Sequence, residues 1–131
     1  MKLKLIAVSI FLTISSGVAA SDVEDLKSFL QVFYKNQEVR KAHVAQDLIY
    51  TETYLEGEDQ VSQGGIEILK GKTFFFPESI SGYYEHQFLE IDENNYRVDI
   101  QSSESGSYVV SLYFRVVDKE FVLYKIENML I

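Results

Sequence analysis

The chain has no cysteine, one proline and two histidines, and beyond residue 20 it carries twice as many acids as bases. Each scarcity excludes something. Without a thiol there is no disulfide and no attachment point for a lipid anchor, so stability has to come from the core. With two histidines, no cysteine and no helical H-x-x-x-H spacing, a zinc site would need carboxylates to complete it, and none is expected. The acid excess repels nucleic acid and anionic membrane surfaces, which removes both from the expected partners. One proline and scattered glycines argue against disorder. No G-x-S-x-G, phosphate loop or dinucleotide fingerprint occurs. Asp92-Glu93-Asn94 begins like a calcium loop, but Arg97 and Ser103 stand where a glycine and a bidentate acid are required. No cofactor or metal is therefore expected.

What is present begins with a leader. Lys2 and Lys4 precede a nearly unbroken apolar run from Leu5 to Ile14, and Val18-Ala19-Ala20 places small residues where a signal peptidase reads. Thr13, Ser15 and Ser16 interrupt the run short of the roughly 18 apolar residues of a membrane span. Residues 1–20 are read as a signal peptide, cleaved between Ala20 and Ser21, which makes the protein exported, periplasmic or secreted, with no anchor after cleavage. The leader carries two lysines and no acid, so its removal takes the formal charge from −8 to −10 on 111 residues. That length fits one domain, 21–131. Phe and Tyr supply 17 of those residues, enough for a substantial core.

Ser21 and Glu24 have capping-box spacing, and Val23, Leu26, Phe29, Leu30 and Phe33 then recur at three- and four-residue steps, which predicts a helix stopping at Asn36. A weaker amphipathic stretch, Gln37 to about Asp47, predicts a second, shorter helix that places His43 on its surface or in helix packing. From Leu48 the period becomes two, with Tyr50, Glu52 and Tyr54 on one side, until the turn Glu56-Gly57-Glu58-Asp59. Gln60 to Gly65 is undetermined. Ile66 to Phe76 reads as a strand stopped by Pro77, and Ile80 to Ile91 as another. Asp92 to Asn95 is a turn, and Tyr96, Val98 and Ile100 then alternate with Arg97, Asp99 and Gln101.

After a turn at Ser102 to Gly106 comes a closing hairpin. Tyr108, Val110, Leu112, Phe114 and Val116 share one face. Beyond Asp118-Lys119-Glu120, the second arm is expected to set Val122, Tyr124, Ile126 and Leu130 against Phe121, Leu123, Lys125, Glu127 and Met129. The fold class is α+β: a helix or helix pair packed on a curved, mostly antiparallel sheet of five or six strands. This element order, with the ending Phe121-Val122-Leu123-Tyr124-Lys125-Ile126-Glu127-Asn128, resembles the nuclear transport factor two superfamily, with its cystatin-like cone. The resemblance implies a sheet wrapped around an N-terminal helix. It leaves function open among isomerases, dehydratases, small-molecule binders and interaction modules, and no stretch here matches the acid and tyrosine set expected of the isomerases.

Candidate binding residues are Phe75, Tyr83, Tyr84, His86, Glu56, Glu58 and Asp59. Phe74-Phe75-Phe76 cannot all share one face of a strand, so one ring is left for a surface unless both faces are covered. In Tyr83-Tyr84-Glu85-His86, strand alternation puts Tyr84 and His86 on one face and Tyr83 and Glu85 on the other, so His86 and Glu85 cannot act as a pair. No catalytic constellation is legible, which counts against an enzyme. The sequence reads as a small exported non-enzymatic binding module for a basic protein partner, its turn acids steering association. The alternative is a small-molecule binder or isomerase-like protein with a pocket in the cone. The processing expectation is directly checkable: the intact mass of the exported protein should correspond to a chain starting at Ser21, and a soluble product retaining residues 1–20 would refute it.

Overall fold

The structure, a computed structural model, describes residues 20–53, 59–63, 76–102 and 108–130. The leader up to residue 19, Glu56, Glu58, Phe75, most of the strand expected at Ile66–Phe76 and the turn at 103–107 lie outside the described residues. Among the described residues two helices, α1 (Val23–Lys35) and α2 (Gln37–Ala42), precede six strands. These are β1 (Val44–Thr53), β2 (Asp59–Gln63), β3 (Tyr84–Asp92), β4 (Asn95–Ser102), β5 (Tyr108–Val117) and β6 (Glu120–Leu130). They form one sheet in the order β2-β1-β6-β5-β4-β3. Every pairing is antiparallel except β1 with β6, which is parallel. The expected α+β class holds.

Helix α1 starts one residue later than the capping-box spacing indicates. Asp22 is the cap and accepts from the Asp25 backbone N–H at 2.8 Å, while the Asp25 carboxylate accepts from the Ser21 backbone N–H at 3.1 Å. Asp22 caps as well as a serine would and adds the negative charge that the positive helix end favours. Leu26, Phe29, Leu30 and Phe33 are fully buried, and Tyr34 extends the stripe. Asn36 ends α1 and begins α2, its side chain accepting from the Glu38 and Val39 N–H groups at 2.9 and 3.2 Å. Arg40 then donates to the Phe33 and Tyr34 carbonyls at 2.9 and 2.6 Å, satisfying acceptors left open at the end of α1.

The second helix is shorter than its periodicity implies. It ends at Ala42, and Val44 to Asp47 already belong to β1. Tertiary pairing overrides local pattern here, because Leu123 N–H donates to the His43 carbonyl at 2.9 Å and draws the chain into the sheet. His43 is consequently 2% exposed, its Nδ1 is 3.0 Å from the Phe121 carbonyl, and its ring meets Phe29 edge-on at 5.1 Å. It is a core residue and not a surface one.

The closing hairpin turns through Asp118 and Lys119, both at positive φ (51° and 65°), the backbone of a tight two-residue turn. The first arm follows its expected faces, with Val110, Leu112 and Phe114 buried. The second arm does not. Tyr113 pairs with Lys125 but Phe114 pairs with Leu123, so Tyr124 is an extra residue, a bulge that reverses the alternation. Phe121 and Leu123 therefore point into the core, and Val122 and Tyr124 do not; beyond the bulge Ile126 and Asn128 are inward. Tyr124 lies near Tyr113 and beneath Arg115 on the outer face. Leu112, fully buried beneath α1, should lose roughly 2–5 kcal/mol of stability on Leu112→Ala. Arg115→Ala, on the outer face, should lose well under that. Equal losses in a denaturant titration would contradict this assignment of faces.

Candidate functional site

The strand registers arrange the helix-side face in rows. Phe114 pairs with Leu123 and Tyr96, and this row is covered by Phe29 and Phe33, whose rings both meet Phe114 at 5.8 Å. The next row, Tyr50, Ile126, Leu112, Val98 and Phe88, is apolar apart from one phenol. The third is mixed: Glu52, Asn128, Val110, Ile100 and His86. The fourth contains Ser102 opposite Tyr84. Polarity on this face thus rises from the aromatic end, where helix and sheet close together, to the opposite end.

Two polar clusters occupy that opposite end. In the first, Asn128 Nδ2 donates to the Tyr50 hydroxyl at 3.0 Å, and that hydroxyl donates to Glu52 Oε2 at 3.0 Å. All three residues are buried, and Asn128 Oδ1 has no hydrogen-bond partner among the described residues. In the second, the Tyr34 hydroxyl lies 2.8 Å from His86 Nε2. Burial pushes the Tyr34 hydroxyl pKa far up, so the phenol keeps its proton and donates. Burial also lowers the His86 pKa, opposed by a backbone hydrogen bond at Tyr84, so the ring is held neutral with Nε2 as acceptor. Glu52 and His86 sit in one row but four strand spacings apart, about 19 Å along the sheet. No acid–base pair forms between them.

Beside the second cluster is an open cleft of about 390 Å³ lined by the segment Phe76 to Tyr84. Tyr83 and Tyr84 meet at right angles with ring centroids 4.8 Å apart. Ser102 Oγ donates to the Tyr83 hydroxyl at 3.1 Å. Phe76 packs edge-on against Phe33 at 5.3 Å, under the Arg40 guanidinium.

The structure thus brings together Tyr83, Tyr84 and His86. Within β3 the alternation is as expected, Glu85 and Gln87 being exposed opposite a half-buried His86. The strand expected from Ile80 starts only at Tyr84, so Tyr83 precedes it and is not placed across the sheet: its ring meets Tyr84 and its hydroxyl accepts from Ser102, the residue paired with Tyr84. Asp59 belongs to β2, paired with Thr53, and not to a free turn. Ala20 is half-buried, its N–H donating to the Lys119 carbonyl at 3.0 Å, a bond that cleavage after it would remove. The sequence reading missed Tyr34, Asn128 and Glu78 as site residues. Asn128 was detectable as a polar interruption between Ile126 and Leu130.

The acids divide into two populations. Asp99 is held by Arg97 and Ser111, Glu127 by Lys125 and Tyr113, and Asp47 by Arg115. By contrast, Glu78, Glu85, Glu90 and Glu93 are exposed and make no ion pair among the described residues, and the same holds for Asp92 and, away from β3, for Asp22 and Asp118. The four glutamates lie on or beside β3, the edge strand among the described residues. Also among the described residues, no group of acids and histidines could hold a metal ion, and no helix is long and apolar enough to cross a membrane.

No family model matches the sequence, and no curated protein matches it. Solved structures do. An NTF2-like protein from Bacteroides fragilis superposes with a TM-score of 0.58 at 14% identity, over 79% of this chain and 46% of the other, so the chain spans about half of that protein's length. An NTF2-like protein from Shewanella oneidensis aligns at 17% identity over 80% of this chain and 83% of its own, with a TM-score of 0.38. A cystatin-like-fold protein from Nostoc punctiforme aligns at 15% over 98% and 89%, with a TM-score of 0.35. The fold is NTF2-like, carried by the first of these, and at such identities the likeness extends to fold alone.

The neutral, half-buried His86 has a stability consequence whose sign is fixed. Its folded pKa is below the unfolded value of about 6.5, so its contribution is present above that value and lost as pH falls towards the folded pKa. Protonation also takes away the acceptor for the Tyr34 hydroxyl. Between about pH 8 and pH 5 the protein should lose more stability than His86→Gln does, as read by denaturant midpoints. Parallel pH profiles would show that His86 is not held neutral by folding.

Proposed function

We propose that the protein is an exported, non-enzymatic binding module whose acidic β3 edge captures a basic protein. One observation carries this reading: Glu78, Glu85, Glu90 and Glu93 gather along one edge without ion-pair partners among the described residues, while acids on the outer sheet face are paired. Exposed acids on a rigid strand steer a cation-bearing surface without the desolvation cost of burial. The absence of chemistry in this reading is supported by the distance across the sheet between Glu52 and His86. It is also supported by the aromatic filling beneath α1.

A second reading, a small-molecule binder with its pocket inside the cone, is favoured by Asn128 Oδ1, which has no hydrogen-bond partner among the described residues and lies beside the Tyr50–Glu52 pair. A buried acceptor without a donor is costly, and a ligand N–H or O–H would satisfy it.

The experiment is affinity capture from the cell envelope in about 0.05 M and about 0.5 M salt, with the wild-type protein and with the combined Glu85→Gln, Glu90→Gln, Glu93→Gln variant. The expected result is a basic protein retained at low salt, lost at high salt where the Debye length shrinks about threefold, and weakened by the variant mainly through slower association. An acidic captured partner, or binding indifferent to both salt and the variant, would overturn the electrostatic reading.

A further inference from the structure

We propose that β3 takes an extended segment of the basic partner as an added strand, one in which cationic and apolar side chains alternate. This rests on the capture of a basic protein and states how the acidic edge holds it. β3 is the last strand of the sheet among the described residues, bonded to β4 along its other side. The packed interior ends there. Val98 and Ile100 on β4 are 0% and 1% exposed, whereas Phe88 and His86, their partners on β3, are only half-buried. An edge strand presents a row of outward N–H and C=O groups, and a further strand pairs them while covering the side chains that the sheet leaves half in water.

Edges are blunted against such pairing by shortness, bulges, proline or lysine. The strand at the other end of the sheet, β2, is five residues long. β3 has nine, contains neither proline nor lysine, and keeps a regular register from Tyr84 to Glu90, its irregularity falling between Glu90 and Asp92. Its ionised side chains are all acidic: Glu85, Glu90 and Asp92. A second copy of the chain would set these carboxylates along one shared edge, and a neutral segment would leave them unanswered, so the edge selects a strand that bears cations. Alternation fixes the pattern further. Glu85 and Gln87 are exposed on the outer face, and His86 and Phe88 are half-buried on the inner one. A strand laid beside them therefore places cations at alternate positions and apolar residues between. Lys27, whose ammonium lies 5.4 Å from the Phe88 ring centroid, is paired with Glu24, which leaves the Glu85 side of the strand to the partner's cations.

The probe is a capped octapeptide alternating lysine and valine, titrated into the protein and followed through backbone amide resonances and amide exchange. It is expected to slow exchange at alternate β3 amides, those that face outward, and to leave the β5 amides at the centre of the sheet unchanged. Methylating every backbone nitrogen of the peptide keeps its charge and side chains but removes its donors, and should weaken binding about tenfold or more. A block peptide of the same composition, lysines first and valines after, and an alternating threonine–valine peptide should each bind about fivefold or more weakly, and Glu85→Gln should cost the parent peptide a few-fold. The added strand is refuted if the N-methylated or block peptide binds like the parent, or if the β3 amides do not respond while β5 reports a folded protein. Equal binding of the threonine–valine peptide would refute the basic character of the segment. Salt-sensitive capture of a basic envelope protein has its own readout: if it persists beside any of these negative results, that reading stands and the added strand alone is removed.

Discussion

Phe29 is the contact on which the rest of the arrangement depends. Its ring touches Phe33, His43, Phe114 and Phe121 at centroid distances between 5.1 and 5.8 Å, joining α1, the end of α2, β5 and β6. Tilted and edge-on pairs of this kind add about 0.5–1.5 kcal/mol each beyond the apolar area they bury. Because these rings fill the space between helix and sheet at one end, polar side chains on the inner face can only gather at the other. Tyr34, one residue beyond Phe33, still lies over the sheet but reaches His86, and the change from packing to hydrogen bonding occurs there.

That packing requires Phe121 and Leu123 to face inward together with Ile126 and Asn128, which strict alternation forbids. The bulge at Tyr124 resolves the conflict by leaving two successive side chains, Tyr124 and Lys125, directed outward. Its location explains why half of β6 was misread from the sequence and half was not. Alternation is a local signal, and an extra residue on one strand is visible only against its partner. Where pairing stays regular, as in Tyr96, Val98 and Ile100 of β4, the pattern gave the buried face directly. The helix stripe was equally legible, since Leu26, Phe29, Leu30 and Phe33 need only a period of 3.6. The α2–β1 junction was not, because Val44 to Asp47 follow the long-range pairing of β1 with β6 and not their own amphipathic spacing.

The candidate site was legible in part for the same reason. Tyr84 and His86 alternate on β3, so one strand reading placed them, whereas Tyr83 precedes the strand and escaped it. Tyr34 and Asn128 enter only when α1 is laid on the sheet and β6 beside β1, through contacts spanning 52 and 78 residues. The acids show the limit from another side: sequence lists every carboxylate, but only the fold separates those paired across strands, such as Asp99 with Ser111, from those left on the β3 edge.

The Tyr50–Glu52–Asn128 chain also bears on how β1 finds its place. This is the one parallel pairing among the described residues, and its register breaks between Val44 and Ile49, so backbone bonds alone leave room for a slip. A shift of one residue would turn Ile49 and Thr51 inward and expose Tyr50 and Glu52, which are now 2% and 9% exposed. It would also strand the Asn128 amide in the interior without the hydroxyl that now accepts from it, a penalty of about 1–3 kcal/mol on top of the lost apolar burial. Apolar contacts tolerate approximate alignment, whereas a buried donor–acceptor chain is satisfied in one register only. The same three residues therefore hold β1 against β6, and the Asn128 amide occupies a position already fixed by the sheet.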